Sequence, residues 1–244
     1  GYIGLHIDDV NLEWRVSNGM EEHVKPIDPR TGAEMTLDDW RRYFAEFMEE
    51  VRAAFPTIEI AHNSIWYAQP EDDPFILRQI AAADFINLER GATDGGIRGG
   101  SGQYGYETFL GFIDRVHAMG GSIVLDDNDS DTIVERDYEL ATYFLIKTAN
   151  DMIGADGDRG RMTPDSFWEG YDLVMGDALG PRAIVDGVLR RDYKCGAALL
   201  NQPEMPQRTV TLGEGFTSLD GAPVTSVTLP ASSGAIVLRD GCAP

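Results

Sequence analysis

Acidic side chains end three of the strands that the hydrophobic pattern of this chain predicts. Asp8, Glu89 and Asp126 each follow a short run rich in Ile and Leu. Successive residues of a strand point to opposite faces, so each acid shares the face opposite the aliphatic residues. If the strands are parallel, their carboxyl ends meet at one edge of the sheet, and these acids converge there.

Two carboxyl groups across a cleft are the minimum apparatus for glycoside hydrolysis, in which one protonates the leaving oxygen and the other attacks the sugar or activates water. We predict that Asp8 is the nucleophile and Glu89 the general acid. Phe85 and Leu88 beside Glu89 indicate an apolar setting, which would raise the pKa of its carboxyl group. Asp8 should stay ionised because Asp9 points away from it. The alternative for each strand-end acid is a cap on the following helix.

Further polar and aromatic side chains near these strand ends are predicted to bind substrate. They are Asp9, Asn63, Trp66, Asn87, Tyr104 and Asp126. Flat aromatic rings suit stacking on sugars, and Trp14, Tyr67 and Tyr106 also follow strand ends, although each aromatic residue could instead anchor a loop. His6, beneath Asp8, could hydrogen-bond a carboxylate or fill the layer of side chains below it.

An acid-rich run, Asp126–Asp131, offers a different chemistry. With Asp8, the carboxylates of Asp126 and Asp127 could hold a metal ion for a metal-dependent hydrolase. The spacing does not fit an EF-hand, because Thr132 stands where glycine is required. We therefore favour a helix-capping role for some of these acids and expect no metal or other cofactor. The sequence also lacks a zinc-type histidine spacing, a nucleotide fingerprint and a nucleophile elbow.

Alternating strands and helices are predicted to position these residues. Strands are predicted at 4–8, 57–63, 83–89, 121–126 and 151–154, and helices from Thr36 to just before Pro56, at 74–82, around 109–116 and at 132–148. Such alternation predicts βαβ units and a parallel sheet of the (β/α)8, TIM-barrel type. Five strands are too few to close that barrel. The chain begins just before a strand, without Met or signal peptide, so we expect an upstream segment or a partner chain to complete the ring.

The pattern changes at Gly180, where short β-rich runs alternate with turn signals. We predict a barrel portion at 1–179 and a small antiparallel β-sandwich domain at 180–244. This second domain carries no acidic cluster at its strand ends, so we interpret it as a structural or sugar-binding appendage. Cys195 and Cys242 could form a disulfide that ties the tail to a strand, or stay as two free thiols.

The composition limits the kind of partner. The 244 residues carry a formal net charge of −21, which argues against nucleic acid, because phosphate binding needs clustered Lys and Arg. A neutral or cationic partner fits better, although the acidity could serve solubility alone. No apolar run approaches the length that spans a bilayer, and we expect a secreted or cell-surface protein.

Several segments resemble one family of glycosyl-hydrolase-like TIM barrels with a C-terminal β-domain, the hypothetical glycosyl hydrolase family 15 type. The similar segments are Leu5–Asn11, Trp168–Gly180, Gly187–Tyr193, Leu199–Asn201 and Asp220–Leu229. The resemblance implies a (β/α)8 barrel whose fourth strand carries Asp8 and whose sixth carries Glu89. It implies a carbohydrate substrate. A non-catalytic carbohydrate-binding or structural barrel is the alternative, since a fold alone does not establish a function.

Overall fold

The computed structural model describes residues 3–10, 24–64, 66–67, 72–127, 132–155 and 168–242. Among these residues lie four α-helices, namely α1 (Leu37–Ala54), α2 (Pro74–Ala81), α3 (Tyr106–Ala118) and α4 (Ile133–Ile146). The first five strands are β1 (Gly4–Val10), β2 (Glu59–Ser64), β3 (Phe85–Glu89), β4 (Ser122–Asp127) and β5 (Met152–Ala155). The others are β6 (Ala183–Val185), β7 (Val188–Tyr193), β8 (Gly196–Asn201), β9 (Arg208–Thr211), β10 (Phe216–Ser218), β11 (Ser226–Leu229) and β12 (Ser233–Arg239).

The predicted alternation of strands and helices is confirmed in the first half of the chain. Strands β1 to β5 form a sheet in that order, and the pairs β1–β2 and β2–β3 are parallel. No barrel closes within the part of the chain that the structure describes, so the complete (β/α)8 ring stays a prediction. None of the described helices combines the length and apolar character that crossing a bilayer requires.

The chain forms two compact units, which we describe separately. The first contains Gly1–Leu88 and Gly111–Val124, and the second contains Glu89–Leu110 and Leu125–Pro244. The predicted domain boundary between residues 179 and 180 stays a prediction.

In the first unit, helix α1 covers the sheet as its sequence predicts. Thr36 and Asp39 form a capping box, and the helix ends at Ala54, before Pro56 as predicted. Its buried Met48 packs on Ile60 of β2. Arg52 ties the helix to the sheet, because its guanidinium donates to the carbonyl oxygens of Ile58 and Ala82, at 2.9 and 3.0 Å, and pairs with Asp84.

The exposure of strand β1 differs from the prediction. Strand alternation places Ile3, Leu5 and Ile7 on one face, which a helix layer should cover, but the exposed fractions of Ile3 and Leu5 are 78% and 36%. Only Ile7 packs against the apolar core of the unit. Within the described sheet β1 is an edge strand, so a helix layer centred on the inner strands does not cover its first residues.

His62 occupies the buried face of strand β2, in register with Ile7 and Ile86. The side chain has no solvent exposure. Burial lowers the pKa of its imidazole to about 4, because a charged ring is disfavoured away from water. His62 is therefore a neutral part of the helix-facing layer near pH 7.

In the second unit, helix α4 lies against a sheet with the strand order β10-β12-β8-β7-β6. A Cβ atom on Gly234 of β12 would come within 2.6 Å of Ala141 Cβ, so only glycine permits this approach. Arg191 of β7 donates to the last carbonyl groups of the helix. Helix and sheet are thus joined by close packing at Gly234 and by the partly buried hydrogen bonds of Arg191.

The C-terminal strands are antiparallel, as predicted. The two-stranded sheet β11–β9 accompanies the five-stranded one, and Val188, Leu199, Val210 and Leu229 form a shared core. The disulfide that the sequence permitted is present: Cys195 and Cys242 are bonded.

The start of helix α4 corrects one expectation. Acids of the run Asp126–Asp131 were expected to cap it, but its N-cap is Thr132, which forms a capping box with Glu135. The pair satisfies the N-cap and N3 backbone N–H groups reciprocally, so the helix start needs no preceding acid.

Candidate functional site

Three predicted site residues lie side by side across strands β1, β2 and β3 of the first unit. Asn63 donates from Nδ2 to Asp8 Oδ1 at 3.0 Å, and Asn63 pairs in register with Asn87. Parallel strands in this register place Asp8, Asn63 and Asn87 in one row, because residues two apart share a face. The row lies near the carboxyl ends of the strands, on the face opposite His62. The structure therefore brings these three predicted residues together.

Two hydrogen bonds hold the carboxylate of Asp8. Besides the amide of Asn63, the backbone N–H of Asp9 donates to Asp8 Oδ1 at 2.8 Å. These bonds lower the pKa of Asp8, the Asn63 bond most, with a smaller contribution from His6 and a small opposing effect of burial. A lowered pKa favours the ionised form of Asp8, as the sequence analysis expects, and the catalytic role of Asp8 stays a prediction.

An unusual backbone conformation follows each of the two predicted catalytic acids. Asp9, directly after Asp8, has φ 54°, and Arg90, directly after Glu89, has φ 66°. Non-glycine residues rarely adopt this left-handed region, and such strain gathers at functional sites. Asp9 is of a type that tolerates it, whereas Arg90 is not, and sequence patterns gave no signal for a left-handed arginine. Both conformations turn the chain sharply at the end of a strand.

Glu89, Tyr104 and Asp126 belong to the second unit. Glu89 is exposed, which contradicts the apolar setting predicted for its carboxyl group. Phe85 and Leu88 do not enclose it, because Leu88 lies on the opposite, buried face of β3 and Phe85 is only half-buried. Tyr104 is 44% exposed, enough for a ring face to meet a ligand. Asp126 is half-buried. The roles of these residues stay predictions.

The aromatic residues after β2 are packed on each other. Trp66 is 7% exposed and meets Tyr67 edge to face, with 5.3 Å between the ring centroids. Tyr67 is the more accessible of the two. Trp14 lies outside the described residues, and Tyr106 is fully buried, with its hydroxyl 2.7 Å from that of Thr142. Tyr106 is thus a core residue of the second unit rather than a sugar platform.

Neither alternative role of the acids finds support in the described part of the chain. No group of three His, Cys, Asp or Glu side chains there could hold a metal ion. Asn128, Asp129, Asp131 and the side chain of Asp127 lie outside it. Helices α1, α2 and α4 are capped by Thr36, Asp73 and Thr132, so Asp8 and Asp126 do not cap the helices that follow their strands.

Comparison with known proteins yields distant structural neighbours only. No family model and no curated protein matches the chain. A GH30 endoxylanase from Clostridium papyrosolvens C71 superposes with a TM-score of 0.40 and 10% identity, over 86% of this chain and 62% of that one. The ligand-free cyclic α-maltosyl-(1→6)-maltose hydrolase of Arthrobacter globiformis superposes with a TM-score of 0.33 and 16% identity, over 81% of this chain and 53% of that one. Another glycoside hydrolase superposes with a TM-score of 0.35 and 10% identity, over 86% of this chain and 64% of that one.

All three neighbours are glycoside hydrolases, and the chain spans less than two thirds of the length of each. Similarity at this level identifies neither a family nor an activity for the chain. What the chain shows by itself is a mixed α/β fold, with a five-stranded sheet, parallel where its pairing is defined, and antiparallel C-terminal sheets.

Proposed function

We propose that the protein is a glycoside hydrolase that cleaves a polysaccharide, with Asp8 as the nucleophile and Glu89 as the general acid. The observation that carries the proposal is the hydrogen bond from Asn63 to the Asp8 carboxyl group, which lowers the pKa of Asp8 at the carboxyl end of a parallel strand. Carbohydrate-active sites on parallel α/β folds use carboxylates at this end of the strands.

The geometry at Asp8 suits nucleophilic attack. Both hydrogen bonds end on Oδ1, and among the described residues nothing donates to Oδ2. Oδ2 is therefore the oxygen that would attack the anomeric carbon, while the bonds to Oδ1 orient the group and share its charge. The protonated carboxyl group of Glu89 would give its proton to the leaving glycosidic oxygen as the bond to Asp8 forms. Water would then attack the anomeric carbon and release Asp8 Oδ2, while the Glu89 carboxylate accepts a proton from that water.

The neighbours of Asp8 suit the binding of sugar hydroxyl groups. Asn63 and Asn87 carry amides that can both donate and accept hydrogen bonds, and Asp9 is an exposed acceptor. The net charge of −21 favours a neutral or cationic polysaccharide over a polyanionic one, because like charges repel. We further propose secretion or display at the cell surface, a β-sandwich C-terminal domain, and a further segment or chain that pairs with β1 to complete a (β/α)8 barrel.

The exposure of Glu89 supports a second candidate, a carbohydrate-binding protein without catalysis. A general acid usually occupies an apolar, water-poor setting, and the Glu89 side chain is exposed. In this case the row of Asp8, Asn63 and Asn87 would bind sugar hydroxyl groups and no bond would be cleaved.

A hydrolysis assay separates the two candidates. The wild-type protein, Asp8→Asn and Glu89→Gln would be incubated with a panel of neutral and amine-bearing polysaccharides, and new reducing ends and product sizes would be measured. Asp220→Asn, a turn residue of the C-terminal region, is the matched control. The proposal predicts cleavage that both site variants abolish and the control retains. Binding without cleavage would establish the second candidate, and cleavage by both site variants would refute the carboxylate pair.

A further inference from the structure

The second unit contains a cavity of about 350 Å³ that no sequence motif indicated. It lies between the segment that follows β3, the first turns of α4 and two turns of the C-terminal sheets. Its polar lining consists of Thr93, Asp94, Arg98, Glu135, Tyr138, Glu204 and Ser232. A volume of this size falls in the range of sites for small organic ligands.

The segments that form the cavity walls contact each other directly. The N–H of Gly100 donates to Gln202 Oε1 at 2.8 Å, and the carbonyl oxygen of Gln202 accepts from Ser232 N. A Cβ atom on Gly99 would come within 2.1 Å of the carbonyl oxygen of Pro203. The segment after β3 is thus packed directly on the turn that carries Pro203. The cavity is preformed, which reduces the entropic cost of binding.

The charges of the lining select against anions. Asp94, Glu135 and Glu204 contribute three carboxylates against the single guanidinium of Arg98. Arg98 Nη1 lies 3.3 Å from Glu204 Oε1, and both side chains are more than half exposed. A ligand with a carboxylate or phosphate would meet a net negative wall, whereas hydroxyl or amine groups would find acceptors.

Two of these carboxylates have acceptor capacity to spare. Asp94 Oδ1 accepts from Gly96 N, and Glu135 Oε2 accepts both bonds of the Thr132 cap. Among the described residues nothing donates to the other oxygen of either group. Each can accept a hydroxyl group of a ligand without breaking an existing bond.

Part of the lining is apolar carbon. Ala92, Ile97 and Pro203 line the cavity with the buried ring of Tyr138. A pyranose ring has polar edges and an apolar face, and so matches a wall that joins carboxylates and a guanidinium to aliphatic and aromatic carbon.

The position along the chain connects the cavity with the predicted general acid. Glu89 ends β3, Arg90 follows in the left-handed conformation, and the 3-10 turn Gly91–Thr93 then enters the cavity wall. We propose that this cavity is an accessory saccharide site that binds one uncharged or amine-bearing sugar unit of the glycan. The inference rests on the proposed function, since it names a second contact for the same substrate.

The test is calorimetric titration of the full chain carrying Asp8→Asn, so that no probe is hydrolysed. The probes are xylohexaose, maltohexaose, the hexasaccharide of glucosamine and hexagalacturonate. Arg98→Met and Glu204→Gln alter the cavity, and Arg190→Met, whose guanidinium pairs with Asp192 on β7, is the control. Circular dichroism and melting temperatures check that each variant is folded.

The proposal predicts that at least one of the three uncharged or cationic hexasaccharides binds. For an uncharged hexasaccharide, Arg98→Met should weaken binding about tenfold, as expected for the loss of one hydrogen bond to a charged group, and Arg190→Met should leave binding unchanged. Failure of all three probes to bind, equal affinity in Arg98→Met, or tighter binding of hexagalacturonate would each overturn it.

Hydrolysis by the chain without the Asp8 substitution separates this inference from the proposed function. If a probe is cleaved but its affinity is unchanged by Arg98→Met, the accessory site is refuted and the hydrolase proposal is not. If Arg98→Met weakens binding but no probe is cleaved, the accessory site is supported and the hydrolase proposal is refuted.

Discussion

Replacing Arg191 by Met should destabilise the second unit more than replacing any other charged residue of strand β7. The guanidinium Nη1 donates to the carbonyl oxygens of Phe144, Leu145 and Lys147, at 3.3, 3.3 and 2.9 Å. Nε donates to Gly180 O at 3.3 Å. The last carbonyl groups of a helix have no partner within it, and a cation there also opposes the negative end of the helix dipole.

The distances set the expected magnitude. A hydrogen bond to a charged group contributes about 1.5–3 kcal/mol when well formed, and only the bond to Lys147 is short. Taking about 2 kcal/mol for that bond and about 1 kcal/mol for the longer contacts and the helix dipole gives ~3 kcal/mol. For a chain of this length that corresponds to a fall in melting temperature of roughly 6–12 °C.

Differential scanning calorimetry of Arg191→Met and Arg190→Met measures this difference. Arg190 is the neighbouring residue on β7, but its side chain points to the other face and pairs with Asp192 at 2.7 Å. Losing such a partly exposed pair should cost about 1 kcal/mol or less. Equal melting temperatures for the two variants would show that Arg191 does not hold helix α4 to the sheet.

Three further predictions concern the disulfide, the buried histidine and the site. Replacing Cys195 and Cys242 by Ser should lower the free energy of unfolding by about 4 kcal/mol, from the chain entropy of a loop of 47 residues; urea denaturation with the same midpoint as the wild type would contradict this. His62 has a pKa of about 4 when folded against about 6.5 unfolded, so its neutral burial stabilises the fold above pH 6.5 and that contribution is lost as the pH falls toward 4. Urea denaturation should therefore show a smaller loss of stability between pH 7 and pH 4.5 for His62→Gln than for the wild type, and an equal loss would count against this account. Asn63→Ala should raise the pKa of Asp8, because the amide is the largest cause of its lowering; a carbon-13 NMR titration with an unchanged Asp8 midpoint would rule out that role.

Local patterns were sufficient to predict the helices and strands of the parallel sheet. The start of helix α1 after Thr36 and its end before Pro56 depend on neighbours in sequence, and both occur as predicted. The row of Asp8 and Asn63 also follows from strand alternation once the strands are parallel and in register. These features are set by short-range rules, which a single sequence carries.

Features set by distant parts of the chain were not predictable in the same way. The exposure of Leu5 depends on the position of β1 at the edge of the described sheet. The exposure of Glu89 depends on how β3 packs in the folded chain, and its sequence neighbours Leu88 and Arg90 do not determine it. The cavity joins Asp94 to Glu204, which no spacing rule relates. The bond of Cys195 with Cys242 was permitted but not required by the sequence, because free thiols leave the same pattern.

The most direct test of the central claim compares Asp8→Asn with Asp9→Asn on a polysaccharide that the wild type cleaves. Both substitutions remove one negative charge from adjacent residues, and Asn can retain the hydrogen bond with Asn63, so the fold should persist. If Asp8 is the nucleophile, its substitution should lower kcat by about 10³-fold or more, whereas Asp9→Asn should act mainly on KM, by about tenfold or less. Equal values of kcat in the two variants would contradict the assignment of Asp8.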